Sequence, residues 1–454
     1  MGGMTTQPWQ CMMGGQVIWT RGTTIMQQRH SLGQRVFAFV TSALFLATSA
    51  GMLHAAAVCN VRDYGAKGNG TTKDTAAIQT AINACEQKGG GTVVLPAGTY
   101  LSAPIVLKSN ITFHLDKGAT LLGSPDHADY PSITEFRAPG LQALVSATNA
   151  SNVTINGEGT INGNGETWWQ MARKIRGSGI LGTNHPRPRL VVFNHCNRVI
   201  VEGVTIENSP MWQVVPYYSD NVIIRNVRIL APHHSPNTDA IDPFSSSNVL
   251  IENVYADVGD DNVAIKSGMI NSPGPDSPSS DITVRNCVFI HGHGVSVGSE
   301  LAGGANNILV ENIEFNGTDN GIRIKSNRDR GHPVYNLVFR NITMKDVKNA
   351  LIISEYYPRV MPPNGVSAAP ITRLTPHFSN IVLQNVTATD SRNAGAIVGL
   401  PESPVKDVVL DNVKISAQKG MAIGYANVSG QNVEVKAAEG QAITKLAGAT
   451  VSFK

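Results

Sequence analysis

Charge is scarce in this chain. Asp, Glu, Lys and Arg together make up only 15% of 454 residues, with a net charge of +3. So nearly balanced a composition does not suggest a nucleic-acid partner, although an acidic polymer remains compatible with positive charge gathered in one place. Cysteine is sparse too. Cys59, Cys85, Cys196 and Cys287 follow Val58, and none forms the C-x-x-C spacing of a zinc site. His291-x-His293 and His233-His234 lack Cys or Glu at ligand spacing, so no metal is expected. Long apolar runs are missing as well. After the N-terminus no segment holds 18 unbroken apolar residues, which argues against a membrane span. Gly89-Gly90-Gly91 is not followed by Lys-Ser/Thr in register, so it reads as a turn into Thr92-Val-Val-Leu95 and not as a phosphate loop. No cofactor is implied.

The N-terminus reads as an address and not as fold. Gln34-Arg35 precede the short apolar core Val36–Ala47, and small residues follow to Ala55-Ala56-Ala57. A basic flank, a short apolar core and an A-x-A end describe a secretory signal peptide. Residues 1–57 are expected to be an upstream extension plus this signal, with Met26 the start of translation. Residues 58–454 are expected to form one secreted catalytic domain, extracellular or periplasmic and monomeric. Met1-Gly2 with Thr6 matches a myristoylation pattern, but the export signal outweighs it. An exported chain could pair Cys59 with Cys85; buried free thiols fit equally well.

What the chain has in abundance is glycine, 44 residues, and a recurring phrase. Asn221-Val-Ile-Ile-Arg-Asn-Val227 returns as Asn248–Val254, Asp281–Cys287, Asn307–Ile313, Asn336–Ile342, Asn380–Val386 and Asp407–Val413. Its second Asn stands at 226, 253, 286, 312, 341, 385 and 412, mostly 26 to 33 residues apart. Each copy alternates apolar and polar residues, so each is a strand with one buried face. Repeated strands without intervening helices predict an all-β, right-handed parallel β-helix, with coils stacked about 4.8 Å apart. The recurrent Asn suits an internal hydrogen-bonded ladder. One helix is readable, Thr75–Gln87. Asp74 is placed to cap it, Ile78, Ile82 and Cys85 share a face, and it serves as a lid on the end coil.

Stacking brings distant residues together. Asn237-Thr238-Asp239, Gly259-Asp260-Asp261, Gly292-His293-Gly294 and Asp319-Asn320 each precede a short strand, one coil apart. Asp239 should therefore stack beside Asp260 and Asp261, with His293 one coil on and Arg323 and Lys325 beyond. Arg323 and Lys325 are two apart on a strand and project the same way. Crowded carboxylates push their pKa values apart, so one can hold a proton while another stays ionised. Beside a cationic clamp, that arrangement fits hydrolysis of an acidic polysaccharide. Asp242 and Asp257 read as turn residues. Trp168, Trp169 and Trp212 could stack on sugars or pack the end of the core. Calcium is the competing use of clustered Asp side chains.

These motifs, with Asp63–Gly68 and Asn208-Ser-Pro-Met-Trp212, resemble glycoside hydrolase family 28, the polygalacturonases and related pectinases. The resemblance implies inverting hydrolysis of α-1,4-galacturonosyl linkages in polygalacturonate. In it Asp260 is the general acid, and Asp239 and Asp261 hold and activate water. His293 supports the protonation state of the cluster. Arg323 and Lys325 grip the galacturonate carboxylate on the leaving-group side, Asn237 orients the site, and Tyr357 or else Tyr356 is the substrate-side tyrosine. Gly298-Ser299-Glu300 carries an acid where endo-acting members usually continue with small residues. Long stretches at 267–280 and 355–378 could wall the groove, so endo and exo action both stay open. The rival readings are a rhamnogalacturonan-type hydrolase of the same family, a calcium-dependent β-helical pectate lyase, and a non-catalytic β-helix adhesin.

Overall fold

The computed structural model describes residues 57–135, 137–177, 185–268, 276–363 and 365–454. The export signal and Met26 lie outside them, apart from Ala57. Among the described residues every strand pair but one is parallel, and the strands stack into a solenoid, a parallel β-helix. No helix among them is long and apolar enough to cross a membrane.

Three stacks of strands make up the wall. The first is the recurring phrase, for example Asp220–Arg225, Ser247–Glu252 and the start of Ser279–His291. Its inward residues lie in register from coil to coil: Val199 on Val222, Val222 on Val249, Val249 on Ile282, Ile282 on Ile308 and Ile308 on Leu337. All are 2% exposed or less. Each buried aliphatic side chain stabilises the fold by about 1.5–3 kcal/mol before conformational entropy is subtracted. A second stack follows directly, as in Thr205–Glu207 and Arg228–Leu230. The third, called here the site sheet, runs through Val145–Thr148, Val191–Asn194, Val214–Tyr217, Val263–Ile265, Val295–Val297, Asn320–Lys325 and Asn349–Ser354.

The recurrent Asn has a backbone reason. Asn226, Asn253, Asn286, Asn312, Asn341, Asn385 and Asn412 all have φ between 53° and 55°. That left-handed region costs most residues about 1–2 kcal/mol, and Asn enters it readily. The side chains form the expected ladder: Asn341 donates to Asn312 at 3.1 Å, Asn385 to Asn341 at 3.1 Å and Asn412 to Asn385 at 2.9 Å. It is not internal, however. The left-handed corner turns these side chains out of the core, and the amides are exposed.

Helix α1, Thr75–Gln87, buries Ile78, Ala81, Ile82 and Cys85 against the first coil. Asp74 occupies its N-cap position but makes no capping bond. Its buried carboxylate accepts instead from the backbone of Lys67 at 2.7 Å and Gly68 at 2.9 Å, fixing the preceding loop. Cys85 is disulfide-bonded to Cys59, while Cys196 and Cys287 are buried free thiols. A second helix, α2, Glu166–Gly177, lies outside the repeat. It buries Trp168 against His127 at 3.5 Å, and the Trp169 indole donates to the Ser209 carbonyl at 2.9 Å. Both tryptophans are thus packing residues. The one antiparallel pair is the hairpin of Ser132–Glu135 with Ala138–Leu141.

Candidate active site

Strand register fixes what meets on the outward face of the site sheet. Ile241 pairs with Val263, Val263 with Val295 and Val295 with Ile322, all buried. Because side chains alternate along a strand, the intervening positions face outward: Ala264, Ser296 and Arg323 in one column, Phe244, Lys266 and Lys325 in the next. Asp239, Asp260-Asp261 and His293 stand just before these strands, on successive coils. Gly292 and Gly294, both left-handed, let the His293 turn seat on its neighbours. A Cβ on Gly294 would sit 2.1 Å from the Asn320 carbonyl, and one on Gly292 2.6 Å from that of Asp260.

The structure brings together Asn237, Asp239, Asp260, Asp261, His293, Arg323, Lys325 and Tyr357, in pairings that the sequence left undefined. Asp261 is 1% exposed and accepts from Lys325 Nζ at 2.8 Å, Ser296 Oγ at 3.0 Å and the Arg323 guanidinium. The cationic clamp is therefore occupied by Asp261 and does not stand open beside the carboxylates. Asp260 Oδ1 accepts from His293 Nδ1 at 2.9 Å and from the Asp261 backbone at 3.0 Å. Asn237 Nδ2 donates to Asp260 Oδ2 at 3.5 Å. The amide oxygen of Asn237 accepts from Arg187 at 2.7 Å and from Arg176, which extends from α2. Tyr357 lies beneath the Lys325 ammonium, 5.4 Å from ring centre to nitrogen. Tyr356 is buried and donates to the Gly399 carbonyl at 2.9 Å, a packing role.

Sequence reasoning missed three groups. Lys266, 4% exposed, lies 3.3 Å from Glu300, 3.8 Å from Asp242 and 3.9 Å from Asp239. It also sits 5.0 Å over the Trp212 ring, which makes Trp212 part of the site floor. Asp242 is not a turn residue: it is fully buried, and both its oxygens lack hydrogen-bond partners. Asp257 is not one either, since it lies in Tyr255–Val258 and pairs with His291 at 2.9 Å. Arg187 is the third, and burial lowers its guanidinium to about 10. The alternation that pairs Arg323 with Lys325 applies equally to Ala264 and Lys266, so Lys266 could have been found.

The electrostatics divide the carboxyl groups. Burial, with Asp242 and Asp260 nearby, raises Asp239 well above the carboxylate range, and burial lifts Asp242 to about 8. Burial also works on Asp261, but Arg323 and Lys325 outweigh it and hold the group below its usual value. At Asp260 burial is the largest single influence, but the His293 hydrogen bond together with the charges of His293 and Lys325 overcomes it and holds the group below its usual value. At Glu300 burial is the largest single influence, but Lys266, a backbone hydrogen bond, Lys325 and Arg330 together overcome it, and the group falls to about 2. His293 itself is raised, because Asp260 overcomes burial. Three cations, Lys266, Arg323 and Lys325, thus favour the ionised forms of Asp260, Asp261 and Glu300, while burial favours the protonated forms of Asp239 and Asp242. A crowded cluster does separate its pKa values: Asp239 is pushed up and Asp260 down, so the protonated form is favoured at Asp239 and the ionised form at Asp260. Asp239 Oδ1 has no donor to stabilise a charge, whereas Asp260 has three, His293, the Asp261 backbone and Asn237. Asp260, Asp261 and His293 place potential ligand atoms within 4.8 Å of one another. The ammonium and guanidinium already on Asp261 would repel a divalent cation there.

The model of glycosyl hydrolases family 28 matches residues 85–438. A probable polygalacturonase of Vitis vinifera is 31% identical over 379 residues, covering 78% of this chain and 73% of the relative. An endo-polygalacturonase of Pectobacterium parmentieri is 31% identical over 373 residues, 78% of this chain and 87% of the relative. Among solved structures, a hyperthermoactive exopolygalacturonase from Thermotoga maritima superposes with a TM-score of 0.72 at 30% identity, covering 84% of this chain and 92% of that one.

Proposed function

We propose that this chain, which belongs to glycosyl hydrolase family 28, hydrolyses the α-1,4-galacturonosyl linkages of polygalacturonate with inversion. The observation that carries the reading is the unequal environment of two adjacent residues: Asp260 is joined to His293, Asp261 to Arg323 and Lys325. A galacturonate carboxylate entering the site competes with Asp261 for the two cations. Once they turn to the substrate, Asp261 loses the charges that depress its pKa and becomes a stronger base. Asp261, with Asp239 as a neutral hydrogen-bonding partner, holds the attacking water and takes its proton. The Asp260–His293 pair shares one proton, and Asp260 passes it to the leaving oxygen as the glycosidic bond breaks. Product release returns Arg323 and Lys325 to Asp261 and drives off its proton. Asn237 holds Asp260 in place, and Tyr357 lines the leaving-group side.

The cations against Asp261 support hydrolysis over calcium-assisted elimination. Export is proposed as well: the Cys59–Cys85 bond suits an oxidising compartment. The test is chromatography of products from polygalacturonate. New reducing ends without an unsaturated chromophore, unaffected by chelator, are expected, and Asp260→Asn should lower kcat about 10²–10⁴-fold. Appearance of the ultraviolet-absorbing unsaturated product, or its loss on chelation, overturns the reading.

A further inference from the structure

We infer that Arg176, carried by helix α2, reads the carboxylate of the galacturonate on the attacked side of the scissile bond, across Asp260 from Arg323 and Lys325. The inference rests on the hydrolase reading above, in which Arg323 and Lys325 lie on the leaving-group side.

Helix α2 stands outside the repeat, and its own sequence aims it at the site. Trp169, Ala172 and Arg176 are spaced i, i+3 and i+7, one face of a helix. The first two are buried, and the Trp169 indole is tied to the Ser209 carbonyl at 2.9 Å. The face that packs the helix onto the solenoid therefore carries Arg176 in its last turn. There the exposed Arg176 donates to the amide oxygen of Asn237. Arg187 donates to the same oxygen at 2.7 Å.

Charge on this side of the site is left unbalanced. Arg323 and Lys325 are paired with Asp261, and Lys266 and Arg330 lie 3.3 Å and 3.9 Å from Glu300. Arg176 and Arg187 have no ion pair among the described residues; two guanidiniums share one neutral acceptor instead. Like charges that close repel, and an anion between them removes the cost. The two arginines differ in what they can offer it. Arg187 is 9% exposed and spends one nitrogen on the carbonyls of Pro210 at 2.9 Å and Pro236 at 2.7 Å, so it is held as part of the floor. A guanidinium has five donors. Asn237 is the one side-chain partner of Arg176 among the described residues, which leaves donors for a carboxylate.

Contacts run from Arg176 to Asn237, from Asn237 to Asp260 at 3.5 Å, and from Asp261 to Arg323 and Lys325. The adjacent aspartates thus stand between two groups of cations. Ile241, which follows the Asn237 turn, lies three coil steps from Ile322 beside Arg323, about 14 Å at the usual strand spacing. A single sugar does not span that distance, so the two groups read different sugars, one on each side of the bond over Asp260. A polymer with an acid on every unit supplies both.

Steady-state kinetics on short galacturonan oligomers test this in the intact enzyme, with the sugar on the attacked side either a free acid or a methyl ester. Arg176→Gln should raise KM for the acid about tenfold and leave kcat nearly unchanged, as expected when binding alone is lost. In the parent the ester should raise KM by a similar factor, and in Arg176→Gln it should cost nothing further. An ester penalty that survives in Arg176→Gln overturns the inference. So does a fall in kcat at unchanged KM, which would make Arg176 a support for Asn237 only. Arg173, one turn earlier on α2, lies 3.3 Å from Glu166. Arg173→Gln should change neither constant, and an equal rise in KM there would reduce Arg176 to general attraction and also overturn the inference. An unsaturated product in the same reactions would overturn the hydrolase reading instead. The comparison of acid with ester would still tell whether Arg176 reads the carboxylate.

Discussion

Asp260 and Asp261 share a peptide bond and little else. One is bonded to an imidazole that can return a proton, the other to two cations that cannot. If Asp260 supplies the proton to the leaving oxygen, Asp260→Asn should recover on substrates with a good leaving group, because such groups need no acid. Asp239→Asn should not recover. Rates on galacturonides with aryl and with sugar leaving groups measure the difference, and recovery of Asp239→Asn would reassign the acid. Beneath them Asp242 burdens the fold. Its folded pKa, about 8, lies above the ordinary carboxylate value. The stability tied to its proton is therefore complete below about pH 4 and is lost as pH rises through about 8. Asp242→Asn should raise Tm at pH 8, less at pH 6, and not at pH 4, as thermal unfolding at the three values would record. A gain that did not depend on pH would contradict the assignment of the proton.

On the scale of a coil, the recurring Asn phrase made the fold readable because a solenoid stacks like on like, so one backbone corner leaves one residue signature. The site was readable for the same reason: Asp239, Asp260-Asp261 and His293 hold corresponding places on consecutive coils. What the sequence hid lies outside the period or across it. Helix α2 interrupts the repeat, and its two tryptophans look like sugar platforms until His127 and Ser209 are found against them. The capture of Arg323 and Lys325 by Asp261 depends on side-chain reach across two coils, which spacing alone does not give. Gly294 tests the coil directly. Gly294→Ala drives a Cβ into the Asn320 carbonyl and should lower both Tm and kcat, with strain of about 1–3 kcal/mol or more. Gly118→Ala is equally left-handed, but its nearest atom is 3.5 Å away, and it should cost only about 1–2 kcal/mol and leave kcat intact. Equal losses in the two variants would show that backbone strain, and not contact between coils, sets the cost.

For the molecule as a whole, substrate charge becomes part of the catalyst. A methyl-esterified galacturonate offers no anion to draw Arg323 and Lys325 from Asp261, so Asp261 stays a weak base. Esterification at the bound sugar should then reduce kcat at least about tenfold, one unit of basicity on a linear scale, and not merely raise KM. Steady-state kinetics on matched acid and ester oligomers would show it, and an unchanged kcat would reduce the clamp to a simple grip. The exposed amide column bears on a slower process. Each rung uses an Asn amide as donor to the coil before it and an amide oxygen as acceptor from the coil after. Deamidation of one rung turns that donor into a carboxylate and sets two acceptors against each other on the solvent side. Since coils contact only their neighbours, the damage stays local. The enzyme should therefore age by gradual fraying along one edge, with the buried aliphatic columns outlasting the ladder.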